Sequence, residues 1–119
     1  MAGITLIGIS FDAHDPAALA AFWAAALHRD TDDGASADFA SIPPGTDSDA
    51  GPLLMFHRVP EDKTVKNRVH LDLRTADIDG ETARLLAMGA NELRPLAAND
   101  GRWVSLADPE GNEFDLVAT

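Results

Sequence analysis

The same order of elements occurs twice in this 119-residue chain, and that repeat restricts its fold more than any other feature. An alternating, Ile-rich stretch at residues 3 to 12 predicts a strand. Asp15 then predicts the cap of a helix that ends near His28, with Leu, Phe and Trp residues recurring at helical spacing. Two short strands are predicted next, at about residues 37 to 42 and 52 to 59.

The pattern begins again at Arg68. RVHLDLRT predicts a strand, and Asp77 predicts the cap of a second helix, 62 positions after Asp15. Three further strands are predicted at residues 91 to 97, in RWVSLAD and in NEFDLVAT, with DPEGN as the turn between the last two. We therefore predict one α+β domain made of two modules, residues 1 to 62 and 66 to 119.

Composition excludes several classes of function. The chain has no cysteine, so a metal would have to be held by His, Asp, Glu or water. A net charge of -11 with nine Lys and Arg residues argues against a nucleic-acid partner. No apolar run approaches the ~20 residues of a membrane helix, and the N-terminus lacks the features of a secretory signal. We expect a cytoplasmic protein with a small-molecule ligand.

Polar side chains alternate with apolar ones in two of the predicted strands. In KNRVHLDL, His70 and Asp72 fall on the face opposite the leucines. In NEFDLV, Glu113 and Asp115 fall on the face opposite Phe114 and Leu116. This arrangement places chemically active side chains away from an apolar face.

Together these segments resemble the glyoxalase, bleomycin-resistance and extradiol-dioxygenase superfamily, which is also called the vicinal oxygen chelate superfamily. The resemblance is strongest to its small glyoxalase-like members and covers nearly the whole chain. It is carried by FWAAAL, LLMFHRVPEDKTVKNRVHLDL and DPEGNEFDL. It implies two βαβββ modules whose sheets curl into a cup, with helices outside and the ligand inside. Because pairs of chains are common in this superfamily, it also implies a homodimer.

The resemblance also implies a site for a divalent metal ion. Members that use metals take ligands from the first and last strands of each module, and His70 and Glu113 stand at those places in the second module. In the first module Gly8 stands where His70 does in the second, and it offers no ligand. If His57 points inward, then His57, His70 and Glu113 suit Fe(II), Mn(II), Ni(II) or Zn(II). If Met55 takes that place instead, two protein ligands remain.

Two functions follow from these expectations. The first is a metal-dependent lyase, isomerase or dioxygenase for a substrate with vicinal oxygens, in which Glu113 is catalytic and moves a proton. The alternative is a metal-free protein that sequesters a small molecule, as the bleomycin-resistance branch does, and Gly8 favours it by leaving room. In either case the predicted ligand-binding residues in the cup wall are Trp103, Asp72, Asp115 and Ser10.

Overall fold

The computed structural model describes residues 3–46 and 51–119, and these form an α+β protein. They divide into two compact units, Met1–Glu61 and Asp62–Thr119. The elements of the first unit are β1 (Gly8–Ala13), α1 (Pro16–Leu27), β2 (Phe39–Ile42) and β3 (Leu53–Arg58). Those of the second unit are β4 (Leu71–Thr75), α2 (Ile78–Ala87), β5 (Asn91–Arg94), a 3-10 helix (Leu96–Asn99), β6 (Trp103–Ala107) and β7 (Glu113–Ala118). Residues 47–50 of the predicted turn PPGTDSDAG lie outside the described residues.

The first unit has one helix packed on a mixed sheet. Its strand order is β1-β3-β2, in which β1 and β3 are parallel and β2 and β3 antiparallel. The Asp15 carboxylate accepts a hydrogen bond from the Ala18 N–H at 3.2 Å, and helix α1 ends at Leu27 with His28, whose φ is 53°, as its C-cap. The predicted cap and end of this helix are therefore confirmed. Trp23 is fully buried, with its ring centroid 5.4 Å from that of Phe11.

The second unit has the complete βαβββ order, with strand order β4-β7-β6-β5. The pair β4 and β7 is parallel, whereas β7 and β6, and β6 and β5, are antiparallel. Asp77 caps α2 as predicted by accepting from the Gly80 N–H at 3.1 Å. One face of this sheet forms the core of the unit with Leu85 of α2. The core residues on this face are Val104, Leu106, Phe114 and Leu116.

Strands β1 and β4 begin well after the residues at which the alternation predicted them to start. Strand β1 starts at Gly8, and Ile4, Leu6 and Ile7 before it are exposed. Strand β4 starts at Leu71, so that His70 lies just before the strand and Val69 is 81% exposed. A strand needs a partner as well as an alternating pattern, and β4 pairs with β7 from Leu71 onward.

The described part of the first unit has the order βαββ. In residues 3–46 and 51–119, neither α-helix has the length and apolar character that crossing a membrane requires.

Candidate functional site

Three side chains suited to binding metal meet on the second sheet. His70 Nε2 lies 3.3 Å from Asp72 Oδ1 and 3.4 Å from Asp115 Oδ2. One potential ligand atom from each residue lies within 4.8 Å of the other two. The carboxylates are brought together because Asp72 and Asp115 are direct partners in the pairing of β4 with β7. We call His70, Asp72 and Asp115 the ligand cluster.

The alternation of β7 explains why the cluster forms on this face. Phe114 and Leu116 are 1% and 4% exposed, since they pack in the core of the second unit. Successive side chains of a strand point to opposite faces, so Asp115 points away from that core. Asp72 pairs with it on the same face, and His70, two residues before Asp72, extends its ring to both carboxylates.

The donor set fits a small divalent cation. Imidazole nitrogen and carboxylate oxygen bind such ions at about 2.0–2.2 Å, so ligands at a right angle stand roughly 3 Å apart. The distances of 3.3 and 3.4 Å from His70 are close to that value. Imidazole suits Zn, Fe and Ni, whereas carboxylates suit Mn and Mg, so the mixed set is compatible with the predicted metals. The side chains of His70 and Asp72 are 44% and 63% exposed, which leaves access for a substrate.

Glu113 lies on the same strand but binds different groups. Its Oε1 accepts a hydrogen bond from Lys63 Nζ at 2.7 Å, and its Oε2 accepts one from the backbone N–H of Asn67 at 2.7 Å. Lys66 Nζ lies 3.8 Å from Oε2. The Glu113 side chain is 19% exposed, so these contacts are partly shielded from water. The roles predicted for Glu113, as a metal ligand and as a catalytic proton carrier, stay predictions.

The surroundings of Glu113 hold its carboxylate ionised. Burial raises the pKa of Glu113, but the hydrogen bonds from Lys63 and Asn67 and the charges of Lys63 and Lys66 outweigh that effect. The pKa of Glu113 therefore lies below its ordinary value.

The predicted ligand-binding residues of the second unit share one face of its sheet. Ser105 is the direct partner of Asp115, and Trp103 is the direct partner of Val117. Direct partners lie on the same face, so Trp103 and Ser105 lie beside the ligand cluster. Trp103 is partly exposed.

Ser10 and His57 belong to the first unit and share a face of its sheet. Ser10 pairs with Met55 and Asp12 pairs with His57 along the parallel β1 and β3 strands. His57 and Met55 alternate with Leu54 and Phe56, which are 2% and 0% exposed. His57 and Met55 therefore both lie on the face opposite the core, and the choice between them as the counterpart of Glu113 stays a prediction. The imidazole of His57 packs edge-on against Phe39, with centroids 5.1 Å apart.

Gly8 has a structural explanation. A Cβ atom at Gly8 would lie 2.9 Å from the carbonyl oxygen of Leu53, its direct partner in β3. Such a contact is too short for a real side chain, so the close approach of the two strands requires glycine here.

The sequence predicts Asp72 and Asp115 as ligand-binding residues but does not group them with His70 as metal ligands. The spacing His-x-Asp within a strand was the available signal, because residues two apart share a face. The contacts of Lys63 and Asn67 with Glu113 were not foreseen, since they join an irregular segment to a strand 46 or more residues away.

The chain is similar to several known proteins. Residues 8–117 match the model of the glyoxalase-like domain family. No curated protein matches the chain. A solved structure of the hypothetical protein SA1046 from S. aureus has a TM-score of 0.75 at 14% identity, covering 99% of this chain and 96% of that one.

Two further solved structures carry functional descriptions. A glyoxalase-related enzyme from Fulvimarina pelagi has a TM-score of 0.72 at 18% identity, with 97% of this chain and 88% of that one covered. A variant of the fosfomycin resistance protein FosX from Listeria monocytogenes has a TM-score of 0.71 at 17% identity, with 95% and 88% covered. That FosX variant was solved in complex with Mn(II) and 1S,2S-dihydroxypropylphosphonic acid. At these identities the likeness establishes the fold.

Proposed function

The chain belongs to the glyoxalase-like domain family of the vicinal oxygen chelate superfamily, and on that premise we propose that it is a divalent-metal-dependent enzyme. Its substrate class is a small molecule with two adjacent oxygen atoms, and its reaction is of the lyase, isomerase or oxygenase kind. The observation that carries the proposal is the meeting of one imidazole and two carboxylates in the ligand cluster.

Mn(II) is the metal that we favour. Two carboxylates and one imidazole form a predominantly oxygen donor set, which suits Mn(II) among the predicted metals. The Mn(II) complex of the FosX variant, a protein of the same fold, supports this choice.

His70, Asp72 and Asp115 would hold the metal, which when bound would supply Lewis-acid stabilisation of negative charge on the substrate oxygens. The side chains around the cluster would orient the substrate. Ser105, beside Asp115, carries a hydroxyl that can donate a hydrogen bond to a substrate oxygen. The indole of Trp103, one pair further along β6, can pack against a planar or apolar part of the molecule.

Catalysis by Glu113 requires it to release its partners. A general base works best with a pKa near the operating pH. The pKa of Glu113 lies below its ordinary value, and its two oxygens accept hydrogen bonds from Lys63 and Asn67. Substitution of Glu113 by Gln, measured by turnover with metal bound, will test this predicted role once a substrate is known.

Binding of Mn(II) to protein purified without a His-tag or chelator tests the proposal. We expect electron paramagnetic resonance to show one bound Mn(II) per chain in the wild type. His70→Gln and Asp115→Asn should each weaken binding by more than the 10–100-fold that loss of an outer partner costs. His14→Gln is the matched control, because the His14 ring bonds the Glu61 carbonyl at 3.0 Å within the first unit. Unchanged affinity in His70→Gln would contradict the proposal.

His57→Gln examines the predicted third ligand. A loss of affinity as large as that of His70→Gln supports His57 as a ligand, and an unchanged affinity limits the set to the second unit. Metal-free sequestration is the alternative function, and stabilisation by organic compounds without any response to Mn(II) would favour it. The homodimer and the cytoplasmic location stay predictions, and light scattering at defined protein concentration tests the first.

A further inference from the structure

His70 stands at the end of a segment that is outside regular structure. Residues 62–70, which we call the junction segment, contain neither helix nor strand. The pairing of β4 with β7 begins at Leu71 opposite Phe114, one residue after His70. His70 is therefore outside the hydrogen-bonded pairing of β4 with β7. The position of its ring depends on the contacts that hold the junction segment.

Glu113 binds the junction segment at two points. Its carboxylate accepts from Lys63 Nζ and from the Asn67 backbone N–H, both at 2.7 Å. Its backbone carbonyl accepts a further hydrogen bond from Asn67 Nδ2 at 3.2 Å. One residue of β7 thus fixes both the main chain and the side chain of Asn67.

These contacts lie close to the ligand cluster along the chain. Glu113 precedes Asp115 by two residues of β7, a rise of roughly 7 Å. Asn67 precedes His70 by three residues, which span at most about 11 Å. The stem of Lys63 also lies near the turn before β7, since a Cβ atom at Gly111 would meet Lys63 Cγ at 3.4 Å. Contacts at the start of β7 therefore help to fix the position of His70 at the end of the junction segment.

We propose that Glu113 is a positioning residue, which uses Lys63 and Asn67 to hold the junction segment so that His70 stands beside Asp115. This inference rests on the proposed metal site. Residues that orient metal ligands from outside the coordination shell affect metal affinity by about 10–100-fold when they are replaced. We expect an effect of that size when the link between Glu113 and the junction segment is broken.

Substitution of Lys63 tests the proposal, because a positioning role and electrostatics predict opposite changes in Mn(II) affinity. Lys63→Met removes a positive charge near the ligand cluster, and electrostatics alone would then strengthen cation binding. If Glu113 were itself a metal ligand, losing Lys63 would free its carboxylate and strengthen binding further. The positioning role demands the opposite, because Lys63→Met loosens the junction segment and should weaken Mn(II) binding by about 10-fold.

Lys66→Met is the matched control for charge. It removes the same charge, but Lys66 Nζ is 3.8 Å from Glu113 and its side chain is 77% exposed. We expect its Mn(II) affinity to equal or exceed that of the wild type. Glu81→Gln is the control for stability, because it breaks the Arg84–Glu81 ion pair of 2.6 Å in the same unit. It should leave Mn(II) affinity unchanged.

The dissociation constant for Mn(II), measured by electron paramagnetic resonance, decides the matter. The proposal is supported if Lys63→Met and Glu113→Gln bind Mn(II) more weakly, Lys66→Met binds it at least as tightly as the wild type, and Glu81→Gln is unchanged. Equal or tighter binding in Lys63→Met overturns it, and so does an equal loss in Glu81→Gln.

Hydrogen exchange in metal-free protein separates this proposal from the proposed function. Glu113→Gln should speed exchange of the Asn67 amide at least 10-fold and shift the nuclear magnetic resonance signals of the His70 ring. If the wild type binds no Mn(II), the proposed function fails, and these two signals still measure the link to the junction segment. Unchanged exchange at Asn67 together with unchanged His70 signals overturns the positioning role.

Discussion

Asp72 and Asp115 are direct partners in the pairing of β4 with β7, and His70 Nε2 lies within 3.4 Å of a carboxylate oxygen of each. Like charges placed directly opposite each other destabilise a sheet by roughly 0.2–1 kcal/mol. Repulsion between the two carboxylates therefore opposes folding of the metal-free chain, while the same pair provides two negative ligands for a cation.

Asp115→Asn should stabilise the metal-free protein and impair the bound state. The neutral amide removes the repulsion with Asp72, so we expect a gain of about 0.2–1 kcal/mol in the free energy of unfolding. The same change should abolish stabilisation by Mn(II). Urea unfolding with and without Mn(II) measures both effects. Asp33→Asn, at an exposed turn position of the first unit, is the control and should change neither quantity.

Mn(II) should raise the melting temperature of the wild type. At a free concentration 100-fold above its dissociation constant, a ligand stabilises the folded state by about 2.7 kcal/mol. For a chain of 119 residues this corresponds to roughly 10 °C. Differential scanning fluorimetry measures the shift, which should vanish in His70→Gln and persist in His14→Gln. A shift of the same size in His70→Gln would show that Mn(II) stabilises the protein from elsewhere.

The sequence predicted the second unit well because its local signals agree with one another. Asp77 caps α2, DPEGN forms the turn before β7, and the alternation of NEFDLV places Phe114 in the core. The buried Asp108 fixes that turn by accepting from the backbone N–H groups of Glu110 and Asn112. Each signal lies within a few residues of the structure that it specifies, so a single sequence contains it.

The sequence pattern did not predict where strands begin or which distant residues contact each other. Alternation extends through Val69 and His70, yet β4 begins only where β7 supplies a partner at Phe114. The carboxylate of Glu113 was expected at the metal site, whereas its hydrogen bonds to Lys63 and Asn67 depend on how an irregular segment folds back. Such contacts depend on how distant segments are arranged in three dimensions, which residue periodicity does not predict.

Glu113 should contribute to stability in a way that depends on pH. Its pKa is lowered in the folded state, so its contribution is complete above the ordinary unfolded value of about 4.3. The contribution is then lost as the pH falls through the lower folded value. Glu113→Gln should cost about 1–3 kcal/mol near neutral pH, because charge-assisted hydrogen bonds are lost. The difference from the wild type should shrink below about pH 4.

Urea unfolding at about pH 7, 5 and 3.5 measures this difference. The double variant with Lys63→Met provides the control, since the coupling between Glu113 and Lys63 should also fade at low pH. A gap between wild type and Glu113→Gln that stays constant or widens as the pH falls would contradict the lowered pKa.

Gly8→Ala should destabilise the first unit through a backbone clash. The added Cβ would lie 2.9 Å from the Leu53 carbonyl oxygen and 3.2 Å from Leu53 Cβ, so β1 and β3 would have to separate. Overpacking of this kind costs about 1–3 kcal/mol. Gly3→Ala is the matched control, because no atom lies within 4 Å of a Cβ there, and its effect should stay within about 0.5 kcal/mol. If Gly8→Ala unfolds at the same urea concentration as the wild type, strand packing does not explain this glycine, and the space it leaves for a ligand becomes the better explanation.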